Sequence, residues 1–458
     1  MRCLSSRGQT LGLVYVKSSS EGARVTANTV SGRVDDLINR EQSAIACPYP
    51  IFAELRQEDG PVFNQHLGAW LVTKYDDVRL ILRDTERFSS RSPTGPQAAG
   101  SVLMERFMEL SQDPTMAPYL TSITAGRGQA AVLLNADPPD HRRQRKLVNP
   151  AFRPDRLRGM EPAITQTAKR LLDDVVTQIQ SSGQVDIVSQ FAVGLPMAII
   201  ALALGVLGDD LATFKRWSDD IVMPVGNHSP TLAQVRGFIV SSNEFKEYFL
   251  ARIALCKEEP AENILSDIAN AVIDGEELTD DEQLGMLQQF LVAGNETTTK
   301  LITNIIHALA ADSALQMRVR SDRALIEPLV EEMLRIEAPV GGLFRQAKID
   351  VKIGATTVPA GDHLWLLFAS ANRDQCKFDQ PDSVNVDRAN VKDHLAFGNG
   401  EHFCPGAGLA RLEACIATEV LLDRLDRIML APDNDFVYED SFVLRGLKRL
   451  NILATPIL

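Results

Sequence analysis

Ten residues, Phe397-Gly-Asn-Gly-Glu-His-Phe-Cys-Pro-Gly406, constrain this 458-residue chain more than any other segment. Gly398, Gly400 and Gly406 lack a Cβ and tolerate positive φ, so the backbone can turn tightly and come close to whatever occupies the loop. Pro405 suits a helix start, and the residues from Gly408 to Leu422 keep helical apolar spacing, which sets the Cys404 sulfur near a helix N-terminus. The positive end of the helix dipole and its free N–H groups favour a thiolate there. Three chemistries remain open for such a cysteine: an inert core thiol, a nucleophile with His402 as its base, and a metal ligand. A zinc site asks for further ligands at short spacing, whereas Cys415 lies too far along the same helix and His402 stands alone.

Composition narrows the function classes. The net charge of −13 argues against a nucleic-acid partner, which would need a broad basic face. Six cysteines, at 3, 47, 256, 376, 404 and 415, show no paired spacing, so no disulfide framework is expected and a reducing cytoplasm fits. No run of about 18 apolar residues occurs, so no transmembrane helix or membrane anchor is expected and the protein should be soluble. Residues 1 to about 32 are rich in Ser, Arg and Gly and poor in acids. They read as part of a disordered leader over 1–40, with a transit peptide or an early start codon as the alternatives.

No linker, repeat or composition shift divides the rest, so 41–458 is expected to be one large domain. Helical periodicity covers 155–182, 185–207, 231–257, 262–273, 280–311, 313–337 and 405–427. Strand-like pieces sit at 69–73, 351–353 and 363–367. The fold class is therefore mainly α with a small β region. The helix at 280–311 opens with Thr279-Asp-Asp-Glu282, a capping box, and at 1.5 Å per residue would run ~48 Å, enough to cross a domain.

Midway along that helix, Ala293-Gly-Asn-Glu-Thr-Thr298 is a poor helix sequence. Glycine costs about 1 kcal/mol against alanine in a helix interior, and threonines bond back to the preceding turn. The plain structural alternative is close packing of a second helix on Gly294. The chemical one is a small-residue gap beside a flat ligand, with Glu296 and Thr297 handling protons and the helix locally opened. Further along, Glu332 and Arg335 share a helix face at i and i+3, the spacing of an ordinary ion pair. In Asp137-Pro-Pro-Asp-His-Arg-Arg-Gln-Arg145, His141 and Arg145 stand one helical turn apart, either as a solvated basic face or as joint partners of one anion.

Taken whole, Phe-Gly-x-Gly-x-His-x-Cys-x-Gly closely resembles the haem-binding loop of the cytochrome P450 family. The preceding segments match that family's oxygen-activation motif, Glu-x-x-Arg pair and His-x-x-x-Arg propionate motif in the same order. The resemblance implies the cytochrome P450 fold with its long helix over haem b, and Cys404 as the proximal ligand of the iron. Phe397, Gly398, Gly406, Ala293 and Gly294 would contact the cofactor. His141, Arg145, Arg345 and His402 would bind its propionates. Thr297 would hydrogen-bond dioxygen and Glu296 would relay protons. Glu332 and Arg335 would be the structural pair. The family's third partner comes from a Pro-x-Arg-Phe-like segment, and this chain has Pro381-Asp-Ser-Val384 there, so no third partner is assigned. Substrate contacts would come from residues 90–130 and 190–245, from Gln289, Val292 and Ala293, and from Val340 to Phe344.

The activity so implied is monooxygenation of a small hydrophobic substrate with O2 by a monomeric enzyme. A peroxide-using peroxygenase on the same fold and a haem-based sensor without turnover are the alternatives. No flavin or nicotinamide domain is evident, and Gly406-Ala-Gly-Leu-Ala-Arg411 lacks both the last glycine and the preceding strand of a dinucleotide fingerprint. Electrons would come from a separate ferredoxin or flavodoxin, docked on a basic patch that includes Arg142 and Arg143.

Overall fold

A computed structural model describes residues 30–96, 98–120, 130–206 and 211–457. Helices dominate, and the helix Asp280–Ala311 is the axis of the molecule, packing on the helices Gly194–Ala203, Leu211–Val222, Ile326–Ile336 and Ala407–Arg424. Its start is as the sequence predicts. The Thr279 hydroxyl accepts from Glu282 N–H (3.3 Å), and the Glu282 carboxylate accepts from Thr279 N–H (2.9 Å). From Asn295 to Leu309 nearly every residue is buried, because neighbouring helices surround this half.

The principal sheet has five strands in the order Val62–Asn64, Ala69–Val72, His363–Leu366, Leu343–Ala347 and Phe88–Ser89. The central strand His363–Leu366 runs parallel to Ala69–Val72 and antiparallel to Leu343–Ala347, where Arg345 lies opposite Leu364. A three-stranded sheet joins Leu425–Leu430, Asn451–Pro456 and Val185–Asp186. The hairpin Val351–Ile353/Thr356–Val358 turns through Gly354 at φ 58°.

Several sequence expectations need correction. The apolar run 185–207 is a short strand, a π-turn at Val188–Ala192 and the helix Gly194–Ala203, since periodicity alone does not separate buried helix from buried strand. The segment 262–273 divides into the helix Ile264–Ala269 and a strand from Val272. The segment 313–337 divides at Asp322, whose side chain caps a new turn by accepting from Ala324 N–H. The last helix stops at Arg424 and continues as a strand. Tyr75–Arg83 and Leu211–Val222 are helices that the periodicity did not single out.

The ordered fold also begins earlier than residue 41. The helix Val30–Ile38 buries Val34, Leu37 and Ile38 against Ile45 and Phe52. Residues 1–29 of the expected leader lie outside the described residues. Cys256, Cys376, Cys404 and Cys415 are free, and Cys3 lies outside the described residues.

Candidate active site

Cys404 lies three residues before the helix Ala407–Arg424, whose N-cap is Gly406. Gly398 (φ 71°) and Gly400 (φ 73°) adopt the left-handed conformation expected of them, and a Cβ on Gly400 would stand 2.7 Å from Leu82 O. Gly406 does not, at φ −80°, and its missing Cβ leaves room beside Cys404 Sγ (3.9 Å). The loop closes on itself where Cys404 N–H donates to Phe397 O (3.0 Å). Burial pushes the Cys404 thiol above its ordinary range. The Gly406 and Ala407 N–H groups and the charges of Arg145 and Arg411 pull the other way. The helix start alone therefore does not make a thiolate, and a bond to a metal cation would.

Beside this loop four nitrogen-bearing side chains converge from separate elements. Arg345 comes from the central sheet, His141 and Arg145 from the helix Asp140–Val148, and His402 from the cysteine loop. The His141 and His402 rings stack at 3.8 Å. Burial, with the nearby guanidinium charges, lowers His141 to about 4 and His402 to about 2, so both rings are neutral near pH 7. Arg345 is 3% exposed, is lowered to about 10 by burial and, among the described residues, donates only to Phe344 O (2.8 Å). Arg145 donates to Asn149 Oδ1 (2.9 Å) and Phe403 O (2.8 Å).

Among the described residues neither arginine has a carboxylate partner, and buried His141 Nδ1 has no hydrogen-bond partner at all. Glu401, at 4.0 Å from that nitrogen, is too far to supply one and is committed to Arg142. A buried cation at Arg345, a half-buried one at Arg145 and the orphaned ring nitrogen of His141 together suit a carboxylate. The donor set thus fits the propionates of a haem.

On the long helix, Ala293 is exposed and Thr297 half-buried, although Leu291, Asn295, Glu296 and Thr298 are buried. The helix is unbroken here, contrary to the expected opening, and Thr297 Oγ1 donates to Ala293 O (2.8 Å). The Cβ direction of Gly294 faces Ile200 Cδ1 at 3.2 Å. Close approach of the helix Gly194–Ala203 is therefore what the glycine serves, rather than a gap beside a flat ligand. Glu296 is buried on another side, where it accepts from Lys300 Nζ (2.7 Å) and lies 3.6 Å from Lys215 Nζ. Those cations outweigh the burial that would raise it and hold its carboxyl down at about 2.

Other expected positions move. Gln289 fastens the turn at 132–135, donating to Val132 O (2.8 Å) and accepting from Leu134 N–H (3.1 Å), so its amide is not free for a substrate. Phe344 is fully buried and stacks on Trp365 (5.6 Å), which makes it core rather than pocket. Val292 and Val340 are half-buried. Of the two segments expected to set specificity, residues 97, 121–129 and 207–210 lie outside the described residues. Arg143 is ion-paired with Glu282 and Arg142 with Glu401, so this pair presents little net positive charge.

Glu332 and Arg335 pair through two hydrogen bonds of 2.7 Å, and Arg388 is the third partner the sequence left open, with its Nε 3.2 Å from both Glu332 oxygens. Pro381 still takes part, because its carbonyl accepts from Arg335 Nη1 (2.8 Å). The signal was an arginine seven residues beyond Pro381 instead of two. Ser90, whose hydroxyl meets His402 Nε2 (3.1 Å), carried no sequence signal.

Comparison with known proteins identifies the family. A family model described as Cytochrome P450 matches residues 46–445. Cytochrome P450 107B1 of Saccharopolyspora erythraea is 33% identical over 428 residues, covering 92% of this chain and 98% of the relative. The cytochrome P450 monooxygenase PikC of Streptomyces venezuelae is 34% identical over 433 residues, covering 93% and 95%. The structure of CYP109Q5 from Chondromyces apiculatus superposes with a TM-score of 0.76 at 34% identity, covering 91% of this chain and 98% of that one. The chain belongs to the cytochrome P450 family, as a haem-thiolate monooxygenase of the bacterial type.

Proposed function

We propose that the protein binds haem b through Cys404 and inserts one oxygen atom of O2 into a small hydrophobic substrate, with electrons from a separate ferredoxin or flavodoxin. The observation that carries this reading is the convergence of Arg345, Arg145, His141 and His402, with no carboxylate on either arginine among the described residues and His141 Nδ1 unpartnered, beside a cysteine at a helix start. When bound, haem with a thiolate ligand supplies electron density to iron and favours O–O cleavage.

The chain's own residues supply the rest. Arg345 and Arg145 neutralise the propionates, and the two histidines, neutral before binding, offer ring N–H donors to them. Ala293 and Thr297 present a small surface and a hydroxyl in the middle of the long helix, where Ala293 is exposed and Thr297 half-buried. Glu296 holds a negative charge one position away, clamped by Lys300 and Lys215, so passing a proton toward Thr297 requires it to leave at least one lysine. The apolar character of Val292, Ala293 and Val340 suits a hydrophobic substrate. CYP109E1 from Bacillus megaterium, 32% identical with a TM-score of 0.73, was crystallised with testosterone, and another neighbour with a fatty acid carried on acyl carrier protein. Steroids and fatty acids are therefore the first compounds to screen.

Reduced protein treated with carbon monoxide should show the long-wavelength Soret band of thiolate ligation, and Cys404→Ala should lose it. Oxygen uptake coupled to product, dependent on an added ferredoxin system, separates a monooxygenase from a peroxygenase or a sensor. A wild-type protein that takes up no haem would overturn the reading.

A further inference from the structure

Glu331 stands next to Glu332 on the helix Ile326–Ile336 but serves a different unit. It is fully buried. Its carboxylate accepts from Arg411 Nε (2.5 Å) and Nη2 (3.0 Å) and meets His394 Nε2 at 3.1 Å. His394 Nδ1 accepts from Ala396 N–H (3.2 Å), so the ring proton sits on Nε2 and the histidine donates it to Glu331. His394 lies three residues before Phe397, at the entry of the cysteine loop, and Arg411 lies in the helix that leaves it. One buried carboxylate thus ties the loop's two ends together.

The Arg411 guanidinium also lies over the Phe397 ring (4.6 Å), and it interacts electrostatically with the Cys404 sulfur. Phe397 in turn holds Cys404 N–H through its carbonyl. A cation over an aromatic face is a directional contact that fixes both groups. Among the described residues, Glu331 is the carboxylate paired with that cation.

We propose that Glu331, His394 and Arg411 are positioning residues that hold the Cys404 loop at both ends and set the electron density on its sulfur, with the balance of charge between Arg411 and Glu331 as the control. This rests on Cys404 binding haem, as proposed above. Reduction of the iron adds negative charge beside the sulfur. Removing the cation should therefore disfavour reduction, and removing the anion should favour it. A purely structural role would move both variants in the same direction, through loosening of the loop.

Spectroelectrochemical titration of purified holoprotein, with the carbon monoxide spectrum as a check on ligation, tests this. Arg411→Met is expected to lower the ferrous-to-ferric ratio at fixed poise about tenfold, equivalent to ~59 mV for one electron. Glu331→Gln is expected to shift it upward. Arg411→Lys, which keeps the charge, should stay near wild type and carries the test if Glu331→Gln does not fold. Variants that retain the thiolate spectrum but leave the potential unmoved, or shift it in one common direction, would overturn this assignment alone. So would Arg411→Lys behaving like Arg411→Met. A wild-type protein without a thiolate spectrum would overturn the haem reading and this assignment with it.

Discussion

Glu332→Gln probes the buried anchor beneath the cysteine loop. The wild-type carboxylate accepts from Arg335, Arg388 and the Asn385 N–H (2.9 Å), with Glu332 and Arg335 fully buried. Arg335 spends its remaining donors on Asn372 O (2.8 Å), Pro381 O (2.8 Å) and Ser383 O (3.2 Å). Glutamine leaves two guanidiniums side by side with only neutral acceptors, and removing one partner of a buried ion pair costs about 3–5 kcal/mol. Arg388→Met instead leaves a neutral Glu332–Arg335 pair and loses charge-assisted hydrogen bonds worth about 1.5–3 kcal/mol. The double variant should fall short of the sum by at least ~1 kcal/mol, because removing Arg388 relieves one of the two uncompensated charges. Urea unfolding followed by far-ultraviolet circular dichroism, at matched haem content, measures all three. Additivity within ~0.5 kcal/mol, or a Glu332→Gln cost under ~1 kcal/mol, would refute the reasoning.

Two further outcomes follow from buried groups elsewhere. Gly294→Ala gains about 1 kcal/mol of helix propensity but meets Ile200 and so incurs an overpacking cost of about 1–3 kcal/mol; the single variant should be neutral or destabilised, and adding Ile200→Val should recover the gain in urea midpoints. A full stabilisation by Gly294→Ala alone would contradict the packing. Glu413 is buried with one carboxyl oxygen unpartnered, and desolvation raises it from 4.5 to about 8. Its favourable contribution is complete below pH ~4.5 and is lost as pH rises toward 8, at up to about 1.4 kcal/mol per pH unit. Glu413→Gln should flatten that decline, whereas the opposite loss below pH ~4.5, where Glu296 and Glu331 at about 2 take up protons, should persist. Parallel pH profiles for variant and wild type would sink the assignment.

The legible part of the fold was local. The Thr279–Glu282 cap, the left-handed glycines at 398 and 400 and the sustained periodicity of 280–311 are decided within a few residues, so the sequence displayed them. Boundaries such as 185–207 were misplaced because a uniformly apolar run has no face to mark its period. The Cys404 loop and its partner motifs were recognisable as a pattern.

Local sequence supplies the chemical groups and their backbone setting: a cysteine before a helix, an acid and an alcohol in mid-helix, and a basic pair one turn apart. Which of those groups remain without a partner depends on how distant segments pack together. Arg388 lies five residues past the expected place yet completes the Glu332 network, Gln289 turned out to be occupied, and Phe344 became core. Beside Cys404, and among the described residues, Arg345 kept no carboxylate partner and His141 Nδ1 no hydrogen-bond partner. Partnering depends on distances between segments far apart in the chain, and burial sets the free-energy cost of leaving a polar group alone; neither quantity is carried by local sequence.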